Sequence, residues 1–227
     1  SASAQTISTE TDLARLWWAY GGGRDADNGR FSRLKAIRKM GAEFLAHPGH
    51  PATKADDLDS PVVIELLKLN VVREEVRGAE IAFRHDVYRD WTVGLMIADD
   101  LQQLHQLAKK NSAPTAVVRG LELAARLKLD ADPTGEHWIW LLSDVSGKNV
   151  HGSWRRPILL ALPRSEKALA HFSALEPQLL ANDGALVAEL VRFLVVVDSM
   201  PLSELFTKLH PDVEMPPGAV DFVCPKG

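Results

Sequence analysis

The 227-residue sequence contains a single cysteine, Cys224. One thiol cannot build a disulfide framework or a cysteine-based zinc site, and such sparing use fits a reducing, cytoplasmic setting. Long apolar runs are also missing. The strongest, residues 190–197, is interrupted by Arg192 and falls far short of the ~20 residues that a membrane-spanning helix needs. Residues 1–11 lack the basic start and apolar stretch of a signal peptide. Neither sign of charge is in excess: 26 Lys and Arg against 30 Asp and Glu leave a net charge of -4, which demands neither nucleic acid nor an anionic membrane as partner. The chain opens on Ser1-Ala2-Ser3-Ala4 and stops at Cys224-Pro225-Lys226-Gly227, so it reads as a piece of a longer protein whose other motifs lie outside it.

Catalytic motifs are equally scarce. A phosphate-cradling P-loop needs a glycine five residues before its Gly-Lys pair and Ser or Thr after it. Around Gly147-Lys148 those positions hold Leu142 and Asn149, and Gly21-Gly22-Gly23 reads as a flexible loop. There is no His-Glu-x-x-His pair and no Gly-x-Ser-x-Gly elbow. His47 and His50 sit in a Pro-Gly loop, a poorly preorganised place for a metal, and read as solvent-exposed. Ser32-x-x-Lys35 has the spacing of some acyl-transfer enzymes, but on an ordinary surface helix the spacing reads as chance. An enzyme site dispersed over the helical half has no constellation to support it.

What is present is the composition of an ordinary globular chain, 46% hydrophobic and 25% charged, long enough for one large or two small domains. Helical periodicity predicts a helix over 11–20, capped by Thr11, with Leu13, Leu16, Trp17 and Tyr20 on one face. A second runs over 31–47 with Leu34, Ile37, Met40, Phe44 and Leu45 as its stripe. Ser60-Pro61 marks the cap and first position of a third, so apolar all round that it reads as buried. Residues 71–76 and 80–83, rich in β-branched side chains and separated at Arg77-Gly78, predict a β-hairpin. A helix follows over 86–98, and after Asp99 only helical segments are expected, split near 181–184 among other places. Trp138 and Trp140 read as packing residues between apolar neighbours.

The resulting expectation is a mainly α protein: a winged-helix domain with a small β-hairpin, then an irregular, solenoid-like α-helical domain. Its divisions are a helical linker at 1–30, the winged helix at 31–99 and a helical arm at 100–227. A winged helix raises DNA binding, with the arm as a ligand-binding or dimerising domain. The third helix offers only Glu65, Lys68 and Asn70 for groove readout, and the basic cluster Arg30, Arg33, Lys35, Arg38 and Lys39 lies on another helix. That argues against strong DNA affinity.

One stretch stands above this background. Residues 81–91 join the second hairpin strand to the next helix and put His85 and Asp86 at its N-terminus. Asp86 can cap the helix, and His85 is poised beside outward N–H groups that suit a phosphate; equally, both can simply shape the corner. The run Phe83-Arg84-His85-Asp86-Val87-Tyr88-Arg89-Asp90-Trp91 resembles the strand-to-helix junction of the winged-helix domain in STAND-type NTPases, the group that includes NACHT and NB-ARC proteins of signalling and defence. Thr11-Asp12-Leu13-Ala14-Arg15-Leu16-Trp17-Trp18 is similar to the helix that follows the ATPase core in bacterial members. The resemblance covers residues 11–100. It implies that His85, supported by Asp86 and Arg89, contacts the β-phosphate of ADP held by an ATPase core elsewhere in the parent chain. It further implies ATP or ADP as the parent's cofactor with none for this piece alone, no catalysis by the piece itself, no membrane, and a protein or ligand trigger on the helical arm.

Overall fold

The computed structural model describes residues 7–24, 27–105, 107, 109, 111–197, 199–201 and 223–225. The outermost parts of the expected linker and arm therefore lie outside the described residues. The chain is mainly helical and carries a small three-stranded antiparallel sheet. It divides into two compact units, one ending at His171 and one beginning at Phe172. The expected junction near Asp99-Asp100 lies inside the first unit.

The first unit begins with α1 (Glu10–Ala19) and α2 (Arg30–Ala46). Thr9, not Thr11, caps α1: its hydroxyl accepts from the Asp12 amide at 2.9 Å, while Thr11 turns inward and is buried. The link between them opens with a built turn over residues 20–23 rather than a loose loop. Gly21 and Gly22 take left-handed φ of 57° and 75° and return their amides to the Trp18 and Trp17 carbonyls, both at 2.9 Å. A Cβ on Gly21 would sit 2.2 Å from the Arg30 carbonyl oxygen, so this position admits only glycine.

Arg33 corrects the reading of the basic cluster, because it is fully buried. Its guanidinium donates to the carbonyls of Gly21 at 3.0 Å and Tyr20 at 2.9 Å, meets Asp27 at 2.9 Å, and pairs with Glu65. The planar five-donor fork can serve four partners at once, which no other side chain can do. Hydrogen bonding from Arg33 holds the Asp27 carboxyl below the usual range. Two more of these basic residues are tied down as well: Arg38 reaches Asp99 at 3.0 Å and lies over Trp18, and Lys39 donates to the Asp57 carbonyl.

A short strand that the periodicity does not reveal, β1 (Ala52–Lys54), precedes a 3-10 turn and α3 (Ser60–Lys68). Asp59, not Ser60, occupies the cap position of α3. Contrary to its apolar composition, α3 is not buried all round: Val62, Val63 and Leu66 face the core, while Ile64 is 52% exposed. The hairpin falls where expected, as β2 (Val72–Val76) and β3 (Glu80–Phe83), with Gly78 at φ 68° in its turn. Strand order is β1-β3-β2, so the hairpin is part of a three-stranded sheet. Pairing of Thr53 with Ile81 on one side and Glu74 with Ile81 on the other makes β3 central, which buries Ile81, Ala82 and Phe83.

Next come α4 (Asp86–Asp99), α5 (Gln102–His105), α6 (Thr115–Ala131), α7 (Glu136–Asp144), α8 (Arg155–Ala161) and α9 (Ala168–Ala174). The largest helix interface is that of α4 with α6. Glycine lets the two backbones approach: a Cβ on Gly120 would stand 2.5 Å from Val93 Cγ1, and one on Gly94 2.9 Å from the Gly120 carbonyl oxygen. Trp138 is sealed in the core and donates its indole N–H to the Ile158 carbonyl at 2.8 Å. Trp140, expected to pack with it, is 58% exposed and meets the edge of His137. Two positions on one helix point apart, as 3.6-residue periodicity requires.

In the second unit, α10 (Glu176–Val197) is interrupted by left-handed Asn182, Asp183 and Gly184, where the sequence signals a break. Strands β4 (Ser199–Pro201) and β5 (Val223–Pro225) pair antiparallel, correcting the expectation of helices alone after Asp99. Three-residue strands paired over a long separation leave no alternation to read.

Candidate functional site at the start of α4

The corner is set by β3 and α4. As β3 ends, the Arg84 amide donates to the Val71 carbonyl at 2.9 Å, fixing where the chain leaves the sheet. His85 then takes extended φ and ψ of -126° and 143° and becomes the cap residue of α4, with Asp86 as the first helical residue. The sequence reading that Asp86 caps the helix is thus corrected by one position, and no side chain caps α4. A 14-residue helix directs partial positive charge at this end. The His85 imidazole is exposed and rests edge-on against Tyr88, centroids 5.7 Å apart.

Asp86 and Arg89 are brought together one turn apart, bonded at 3.0 Å. Arg89 is more committed than the sequence suggests. It also holds Asp90 at 3.0 Å and stacks over the Phe44 ring at 5.3 Å, locking α4 to α2. It neutralises two carboxylates that would otherwise oppose an anion at this corner. Burial pushes the Asp90 carboxyl up, against the pull of Arg89.

Periodicity did not single out the aromatic cluster behind His85. Trp17 of α1 stacks on Tyr88 with centroids 5.4 Å apart and planes 2° from parallel, and Trp91 meets both rings edge-on. His85, Tyr88 and Trp91 recur every three residues, so they share one face of the chain entering α4. That spacing was the available signal. Beside the cluster opens a cleft of about 280 Å³, lined by Leu13, Leu16, Tyr20 and Arg24 in addition to the three rings.

The other candidates do not assemble. His47 pairs with Glu43 at 3.2 Å on the surface, and no group of metal-binding side chains occurs among the described residues. Ser32 and Lys35 face solvent along a separate cavity with Lys39 and Asp57. No helix among the described residues is long and apolar enough to cross a membrane.

No protein-family model matches the sequence, and no curated protein matches it significantly. The functional reading therefore rests on the residues and geometry of this corner.

Proposed function

We propose that the chain is a regulatory piece of a STAND-type NTPase, in which residues 31–99 form a winged helix that couples nucleotide state to domain packing and the later helices form an arm that senses a ligand or partner. The observation that carries the reading is the exposed His85 imidazole at the uncapped, 14-residue α4, next to a corner fixed by the sheet. In this reading the ring donates to the β-phosphate of ADP bound to an ATPase core in the same parent chain, and Arg89 holds Asp86 and Asp90 so that their charge does not repel the phosphate. The latch favours the ADP-bound packing because its hydrogen bond exists in that state alone.

Support for the winged-helix assignment comes from the β1-β3-β2 order beside α2, α3 and α4. The exposed Ile64 on α3, where a DNA reader needs polar donors, favours domain coupling over groove recognition. The cytoplasm is the compartment that suits this role. In the parent protein, His85→Ala is expected to loosen the resting state and give signalling without trigger. Unchanged basal signalling together with unchanged ADP content of the purified variant would reject the assignment.

A further inference from the structure

We propose that His171 is an acid-sensitive pin: its neutral ring holds the first turn of α9 in place, and uptake of one proton releases it. The inference stands apart from the nucleotide latch, since it concerns the last residues of the first unit and needs no ATPase core.

Three observations meet at this residue. First, α9 depends on it. The helix has seven residues, too few to persist through its own hydrogen bonds, so packing must hold it. His171 is its one buried side chain, while the apolar Leu169 turns outward and is 85% exposed. Second, the ring is buried without partners. Neither Nδ1 nor Nε2 touches solvent or has a hydrogen-bond partner among the described residues. A neutral imidazole leaves one donor and one acceptor unmet there, whereas an imidazolium would leave two donors and a full charge. Third, the charges around the ring do not offset that penalty. Asp130, in the last turn of α6, is engaged by Arg15 of α1 at 3.6 Å. Asp132, which follows α6, is engaged by Thr134 and His137. Lys167, one turn before His171, adds a like charge. Burial foremost, with Lys167 behind it, holds the imidazole below its ordinary 6.5 against the pull of the two carboxylates.

The direction of the switch follows from the neutral ring. Above 6.5 the ring is uncharged whether held or released, and α9 keeps its full hold. Below 6.5 the released ring takes up a proton that the held ring refuses. Release therefore gains about tenfold for each further pH unit, until the held ring itself titrates. A leucine at the same place would pack without this response. Histidine lets this one helix go in mild acid, while the apolar contacts of α4 with α6 do not titrate.

Hydrogen exchange of the amides of residues 168–174 in the whole chain, corrected for the intrinsic effect of pH, reads the release. Protection should be constant above 6.5 and fall about tenfold for each unit below it. His171→Leu should abolish the fall, and His137→Gln, at an exposed position beside Asp132, should leave it unchanged. Titration of the ring protons by nuclear magnetic resonance in the unaltered chain gives a second readout that needs no variant: the His171 ring should be less than half protonated at 6.5. Protection in the unaltered chain that does not change with pH overturns the proposal. So does the same fall in His171→Leu, its loss in His137→Gln, or a His171 ring already half protonated at or above 6.5.

Discussion

Replacing Arg33 by leucine probes the least expected feature of the structure. The side chain is fully buried, and its removal strips donors from four acceptors. Those acceptors do not lose equally. The carboxylates of Asp27 and Glu65 are 51% and 40% exposed, so water replaces the guanidinium and little is lost there. The Gly21 carbonyl loses the Arg33 donor at a cost of about 1–2 kcal/mol, while the Tyr20 carbonyl keeps the Gly23 amide at 3.1 Å and its loss is about 1 kcal/mol. Leucine fills only part of the vacated space, which cancels its gain in apolar burial. The sum is about 2–3 kcal/mol, or a fall in Tm of about 5–10 °C for a chain of this size. Arg33→Lys keeps the charge but not the planar fork, so it should recover less than half of the loss. Urea and thermal unfolding followed by circular dichroism measure both. A leucine variant as stable as the parent chain would show that the guanidinium does not hold the Gly21 turn to α2 and α3.

The crossing of α4 and α6 makes a second prediction: Gly120→Ala should cost about 1–3 kcal/mol, because its methyl would overlap Val93 and neither backbone can yield freely. An unchanged urea midpoint would contradict that packing. Asp132 accepts from the Thr134 and His137 amides at 3.0 Å each and from the Thr134 hydroxyl at 2.7 Å, and these bonds, the hydroxyl's foremost, lower its carboxyl to about 2. A depressed folded value stabilises above the unfolded 3.8 and is lost as pH falls through 2. Allowing for its partial exposure, Asp132→Asn should lose about 1–2 kcal/mol at neutral pH, with the gap to the parent chain closing between those two values. A gap that stays constant across that range would show that the carboxylate is not the source.

Much of the helical order was legible because apolar spacing and Gly or Pro stops agree at α2, α4, α7 and the break at Asn182-Asp183-Gly184. The hairpin was legible from its β-branched run and Gly78. What stayed hidden depends on long-range partners. β1 exists because Ala52, Thr53 and Lys54 find β3, and three residues carry no period of their own. Arg33 follows the polar pattern of a surface residue, yet it is buried because Tyr20, Gly21, Asp27 and Glu65 converge on it from three places in the chain. At the candidate site, the sequence identifies His85, Asp86 and Arg89 as neighbours at a helix start. It could not tell that Arg89 is committed to Asp86, Asp90 and Phe44, nor that Trp17 crosses from α1 to stack on Tyr88. The apolar stripe of α1 shares only Trp17 with the core, which otherwise takes the Thr11, Ala14 and Trp18 side, and Leu13 stays 43% exposed.

The latch at His85 is tested most directly by the rate at which labelled ADP leaves the parent protein. Loss of one hydrogen bond to a charged phosphate corresponds to about 10- to 100-fold faster release in His85→Ala. Release at the unaltered rate would contradict the placement of this imidazole against the nucleotide.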